Sequence, residues 1–310
     1  MLAAVLLAAV VAGSAASRSM SSAGSLAVAG GGISVRSSTG QLTRLTTDFH
    51  DQSPVWSRDG KRIAFVRSGS DIDRCALFVM NADGSDVHQL GNVETDCSRV
   101  SWGPGDRKIA FGGGVAGRIN NGLWVVNADG TGLKRLVAIR RLLGGRETTA
   151  ATAPAWSPNG RSIVFGWSGR SPGSRPWPRL AGMLATIRPD GSALRILLKP
   201  AKPARGTLSS PAFSRDGKSL AFVQTDTSAA GRTELVLSRA DGTRRHSLLR
   251  LSFNPSGQGT ASWSPNGRSL VFWRVCGQQT CVSTIPARGG KPRVLLRGGY
   301  LQPYWGPAGS

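Results

Sequence analysis

PVWSRDGKRIAF at Pro54–Phe65 is answered along the chain by PAWSPNGRSIVF at Pro154–Phe165, PAFSRDGKSLAF at Pro211–Phe222 and ASWSPNGRSLVF at Ala261–Phe272. A degenerate fifth copy, VSWGPGDRKIAF, occupies Val100–Phe111. A spacing of about 40–55 residues is the mark of an array of one small unit rather than of a single mixed domain.

Each copy reads as the start of a four-stranded unit. Pro54–Ser57 is a short strand ending in Trp56, and Ser57-Arg58-Asp59-Gly60 is a turn. Asp or Asn bonds to its own backbone there, and Gly accepts the positive φ such turns require. Lys61–Val66 alternates polar and apolar residues, as a half-buried strand does. A loop over Arg67–Arg74 leads to a third strand at Leu77–Asn81, and Ala82-Asp83-Gly84 turns into a fourth that ends at Leu90. The second turn returns at Asn127–Gly130, Arg188–Gly191, Arg239–Gly242 and Ala287–Gly290. Four antiparallel strands per repeat make a blade, and no blade buries both faces until neighbours cover it. The predicted fold is therefore all-β, a six-bladed propeller. Its last blade combines one C-terminal strand, within Gln302–Pro307, with three N-terminal strands near Ser25–Ala29, Gly32–Ser37 and Leu42–Thr46.

These repeats resemble the TolB-like family of WD40-like propellers, whose motif centres on P-x-W-S-P-D-G-K-x-I-A-F; the resemblance covers about residues 25–307. It implies a binding role, because TolB docks to partner proteins in the periplasm. TolB carries an α/β domain ahead of its propeller, and the residues before Ser25 leave no room for one in this chain. Propellers of this kind also precede α/β-hydrolase domains in prolyl oligopeptidase-like peptidases, but no G-x-S-x-G elbow follows these repeats.

Met1–Gly13 is an apolar run followed by small residues, which predicts a signal peptide over residues 1–16, a linker over 17–24 and the propeller over 25–310. An uncleaved membrane anchor is the alternative, although the run is short for a span. Four cysteines, as the local pairs Cys75/Cys97 and Cys276/Cys281, suit disulfides in an oxidising compartment. The expected location is thus outside the cytoplasm: periplasmic, in the cell envelope or extracellular. A net charge of +22 favours a polyanionic partner. The expected partner is a protein or an anionic envelope polymer; nucleic acid is disfavoured by apparent export and by the lack of a recognised module. No cofactor is expected, and the chain is expected to be a monomer.

The Asp-Gly turns all fall on one face of the ring, and loop-length variation concentrates on the other, where function on a rigid scaffold tends to sit. There the inserts around blades two to four carry Arg140, Arg141, Arg146, Arg170, Arg175, Arg179, Lys202 and Arg205, with Trp167 and Trp177 in the middle insert. Arginine forks suit phosphate or carboxylate oxygens and Trp can stack on a ring, so these residues, Trp177 included, are the candidate ligand-binding set. Blade one is acidic instead, and Asp71, Asp73, Glu94 and Asp96 are candidate Ca²⁺ ligands that lack EF-hand spacing. His50, with Asp48 or Asp51 to orient it, is the one plausible general base, giving a hydrolase or lyase at the channel mouth as the alternative to a non-enzymatic scaffold. The strand-one aromatics Trp56, Trp102, Trp156, Phe213, Trp263 and Trp305 are assigned to packing.

Overall fold

The computed structural model describes residues 24–69, 75–115, 122–138, 148–170, 180–200, 206–226, 231–251 and 260–307. Apart from one 3₁₀ turn at Pro104–Asp106, every regular element among them is a strand. The N-terminal strands are β1 (Leu26–Ala29), β2 (Ile33–Arg36) and β3 (Leu42–Arg44). The first repeat supplies β4 (Asp51–Trp56), β5 (Arg62–Ser68), β6 (Cys75–Asn81) and β7 (His88–Thr95). The second supplies β8 (Ser101–Trp102), β9 (Lys108–Val115), β10 (Gly122–Asn127) and β11 (Lys134–Ala138). In the third are β12 (Thr148–Trp156), β13 (Ile163–Arg170), β14 (Leu180–Ile187) and β15 (Arg195–Leu198). The fourth has β16 (Gly206–Phe213), β17 (Ser219–Asp226), β18 (Arg232–Arg239) and β19 (His246–Leu251). The fifth has β20 (Ser262–Trp263), β21 (Ser269–Cys276), β22 (Gln279–Pro286) and β23 (Arg293–Arg297), and β24 (Leu301–Trp305) is the last strand among the described residues.

These strands form a propeller-like ring of antiparallel sheets. Four sheets have four strands each, in the orders β24-β1-β2-β3, β12-β13-β14-β15, β16-β17-β18-β19 and β20-β21-β22-β23. The expectation of six separate blades needs correction at the first two repeats, which share one eight-stranded sheet because β7 pairs with β9. Val93, Glu94 and Thr95 lie opposite Val115, Gly114 and Gly113. Glycine makes this approach possible: a Cβ on Gly113, whose φ is 136°, would stand 2.5 Å from the Glu94 carbonyl oxygen. Terminal strand β24 runs antiparallel to β1, with Leu26 opposite Trp305.

The S-x-D/N-G turn works through one repeated set of bonds. In the first repeat the Ser57 hydroxyl donates to Asp59 Oδ1 (2.7 Å) and accepts from the Arg62 N–H (2.9 Å), while the Lys61 N–H donates to the same carboxylate (3.0 Å). Ser157/Asn159, Ser214/Asp216 and Ser264/Asn266 repeat the hydroxyl-to-side-chain bond at 2.6–2.8 Å. The degenerate second copy lacks both polar residues, and its turn instead presents Asp106, whose buried carboxylate accepts the N–H groups of Arg58 (2.8 Å) and Asp59 (2.9 Å). A lost local turn bond is thereby exchanged for a latch between repeats one and two.

Alternating residues from each strand fill the spaces between neighbouring sheets. Ile63, Phe65 and Met80 pack against Ala27, Ile33 and Val35, and Ile163, Phe165 and Trp167 pack against Leu123 and Val125. Trp167, expected in the middle loop insert, lies instead in β13. It continues the inward alternation of β13 and is 1% exposed. Both disulfides form as expected, Cys75 with Cys97 and Cys276 with Cys281. No helix among the described residues is long and apolar enough to cross a membrane.

Candidate functional site

Innermost strands β4, β8, β12, β16, β20 and β24 touch in succession, and β24 touches β4. Their last residues are the strand-one aromatics, and all six line a single cavity of about 370 Å³ that opens on the turn face. Packing remains part of their role, since Trp56, Trp102 and Trp156 are buried in the inter-sheet cores. Trp102 donates its indole N–H to the Val55 carbonyl (3.1 Å), and Trp263 does the same to Ala212 (3.0 Å), which ties each ring to the preceding repeat. The indole N–H groups of Trp56 and Trp305 are buried without a partner.

Three arginines complete the wall. Arg58 and Arg215 occupy the same turn position in repeats one and four, where repeats three and five have Pro158 and Pro265; all four line the cavity. The half-buried Arg58 donates through Nη2 to the carbonyls of Trp156 (3.2 Å) and Ser157 (3.4 Å). Burial, and then the neighbouring charge of Arg215, lower its pKa. Deeper in, Arg99 precedes the second repeat's innermost strand and is 6% exposed. It reaches across the axis, donating Nη1–H to the Ala261 carbonyl (2.8 Å) and Nη2–H to the Pro303 carbonyl (3.2 Å). Its Nε–H is buried with no partner, and its guanidinium stands 5.3 Å from the centre of the Tyr304 ring. Burial pushes the Arg99 pKa down to about 10, so the group is still charged at neutral pH. Among the described residues lining this cavity there is no Asp, Glu, His or Lys.

The residues expected to bind a ligand on the other face lie outside the described ones: Arg140, Arg141, Arg146, Arg175, Trp177, Arg179, Lys202 and Arg205, together with the side chain of Arg170. Asp71 and Asp73 lie outside them too, and among the described residues Glu94 and Asp96 join no group of three potential metal ligands. Asp96 accepts from the Ser98 hydroxyl (2.6 Å) through Oδ1, while burial raises its pKa and Oδ2 has no partner. His50 and Asp48 do come together, at 3.0 Å between Nδ1 and Oδ1. Asp51 does not join them as orienter. It is buried and bound by Arg67, at 2.6 and 3.1 Å, and Arg67 also reaches Asp48 at 3.2 Å. The His50 N–H, with smaller help from the His50 ring and Arg67, holds the Asp48 carboxyl below its usual pKa. None of these residues lines the aromatic cavity.

No family model and no curated protein sequence matches the chain. Solved structures do match in fold. TolB from Acinetobacter baumannii is 17% identical, with a TM-score of 0.69 over 92% of this chain and 67% of its own. A chain of the nidogen/laminin complex is 12% identical, with a TM-score of 0.65 over 92% and 99%. The oligogalacturonate lyase of Vibrio parahaemolyticus is 11% identical, with a TM-score of 0.54 over 86% and 71%. The ring of sheets around an aromatic-lined axis defines a β-propeller. More narrowly, its fold is that of a TolB-like β-propeller.

Proposed function

We propose that this chain is an exported, non-enzymatic binding scaffold, a closed six-bladed ring whose ligand seats in the central cavity of the turn face. The six-fold count treats the eight-stranded sheet as two blades joined through β7 and β9, and β24 beside β1 as the closing pair. One observation carries the reading: six aromatic side chains and three arginines converge on one cavity that offers no acid–base pair among its described lining residues. A cavity of about 370 Å³ is within the size range of small-ligand sites. Aromatic walls supply contact area at little cost in conformational freedom. Two disulfides fit an oxidising compartment, in keeping with export.

A protein or anionic polymer docking on this scaffold would insert a ring-bearing group into the cavity. The test is a titration followed by tryptophan fluorescence with small aromatic probes: phenol, benzamide, benzoate and phenyl phosphate. Binding should quench emission and be lost in Pro265→Trp, which crowds the mouth at a position where the repeats already tolerate different residues. Quenching that survives Pro265→Trp would place the ligand elsewhere and defeat this reading.

A further inference from the structure

Resting on that reading of the cavity, we infer that its ligand carries an oxyanion, a carboxylate or a phosphate ester, borne on a flat ring and held between Arg99, Arg58 and Arg215. The argument begins with the cost of Arg99. A guanidinium taken out of water is stabilised only where an opposite charge or a full set of acceptors replaces the lost hydration. Arg99 has five N–H donors, and two backbone carbonyls engage one on each terminal nitrogen. Its Nε–H is unpartnered, and no carboxylate among the described residues pairs with it.

The two other arginines add a second, independent observation. At their turn position the repeats otherwise carry Pro158 and Pro265, so arginine is not required to form the turn. Arg58 and Arg215 come from repeats separated by half the ring, yet both line this one cavity. Three cations line one cavity whose described lining holds no acid, and although Asp106 behind the wall offsets part of the Arg58 charge, the balance at the cavity is positive. An oxyanion relieves all three at once, and the guanidinium fork matches carboxylate and phosphate oxygens. Aromatic rings around the circumference favour a ligand that is flat rather than a bare inorganic ion.

Calorimetric titration of the full chain with benzoate, phenyl phosphate and neutral benzamide tests the inference. Both anions, or the better of the two, should bind at least about tenfold more tightly than benzamide, and the tighter one identifies the oxyanion as carboxylate or phosphate. Arg215→Pro restores the residue of sister repeats and should weaken the anions several-fold while leaving benzamide unchanged. Arg99→Met should lose the preference for anions; if it fails to fold, Arg58→Gln gives the same readout. Benzamide binding as tightly as the anions, with Arg215→Pro without effect, overturns the oxyanion inference and leaves the cavity reading standing. Failure of all three probes to bind overturns both.

Discussion

At the scale of single residues, one turn chemistry is used again and again, and it predicts a loss of stability in acid. Asp83, Asp129, Asp216 and Asp241 each accept a hydroxyl and then a backbone N–H, and those bonds hold their carboxyls below the ordinary 3.8. A carboxylate with a depressed folded pKa contributes stability that is fully present above its unfolded value and is lost as pH falls through its folded value. The thermal midpoint should therefore hold from neutral pH to about 5 and fall below about 4, monitored by circular dichroism. Ser214→Ala removes one donor to Asp216 and one acceptor for the Ser219 N–H, and should cost about 1 kcal/mol in urea unfolding at neutral pH. A different economy governs Ala193, which holds φ at 54° just after the Asp190-Gly191 turn. The second repeat has Gly132 at that position, with φ 64°. Ala193→Gly should stabilise by about 0.5–1 kcal/mol, because a left-handed backbone strains any residue with a Cβ; a destabilised variant would refute the strain argument.

At the scale of elements, strands and turns were legible in the sequence because they depend on neighbours a few residues away. Trp56, the Asp59-Gly60 turn and the alternation to Phe65 mark the end of β4 and the course of β5, while the start of β4 at Asp51 falls in what reads as loop. The strand position of Trp167 is carried by the sequence too, since Ile163, Phe165 and Trp167 keep the period of two that marks one face of a strand. The β7–β9 junction was not legible. It depends on Gly112-Gly113-Gly114 meeting a strand of another repeat, and nothing local in the glycine run names that strand. Gly113→Ala should separate the junction and destabilise by about 1–3 kcal/mol, since the new methyl meets backbone rather than a movable side chain. Hydrogen exchange should then rise at Val93–Thr95; unchanged protection there would show that the junction contributes little.

For the molecule as a whole, the repeat both builds the ring and lines its central cavity. Its aromatics were recognisable as packing residues, and they pack, but their convergence on one cavity appears only when six distant segments are placed around an axis. A clue was present in the sequence: Arg58 and Arg215 depart from the Pro of sister repeats at one turn position. Arg99 left no such mark, because it precedes the degenerate copy and its partners, Ala261 and Pro303, are 162 and 204 residues away. The reading as a binder also makes a prediction for the His50 cluster, which stands apart from the cavity. His50→Ala should leave quenching by the aromatic probes unchanged, and loss of a hydrolytic or lyase turnover in that variant would instead establish catalysis.

Arg99 has a consequence for traffic through the ring. Its side chain crosses the axis from the second repeat to the carbonyls of Ala261 and Pro303, and so forms a floor beneath the turn-face cavity. On the proposed reading, a guest resting on that floor would leave by the face it entered. Contacts to Arg58 and Arg215 at that mouth would then set how long the guest stays.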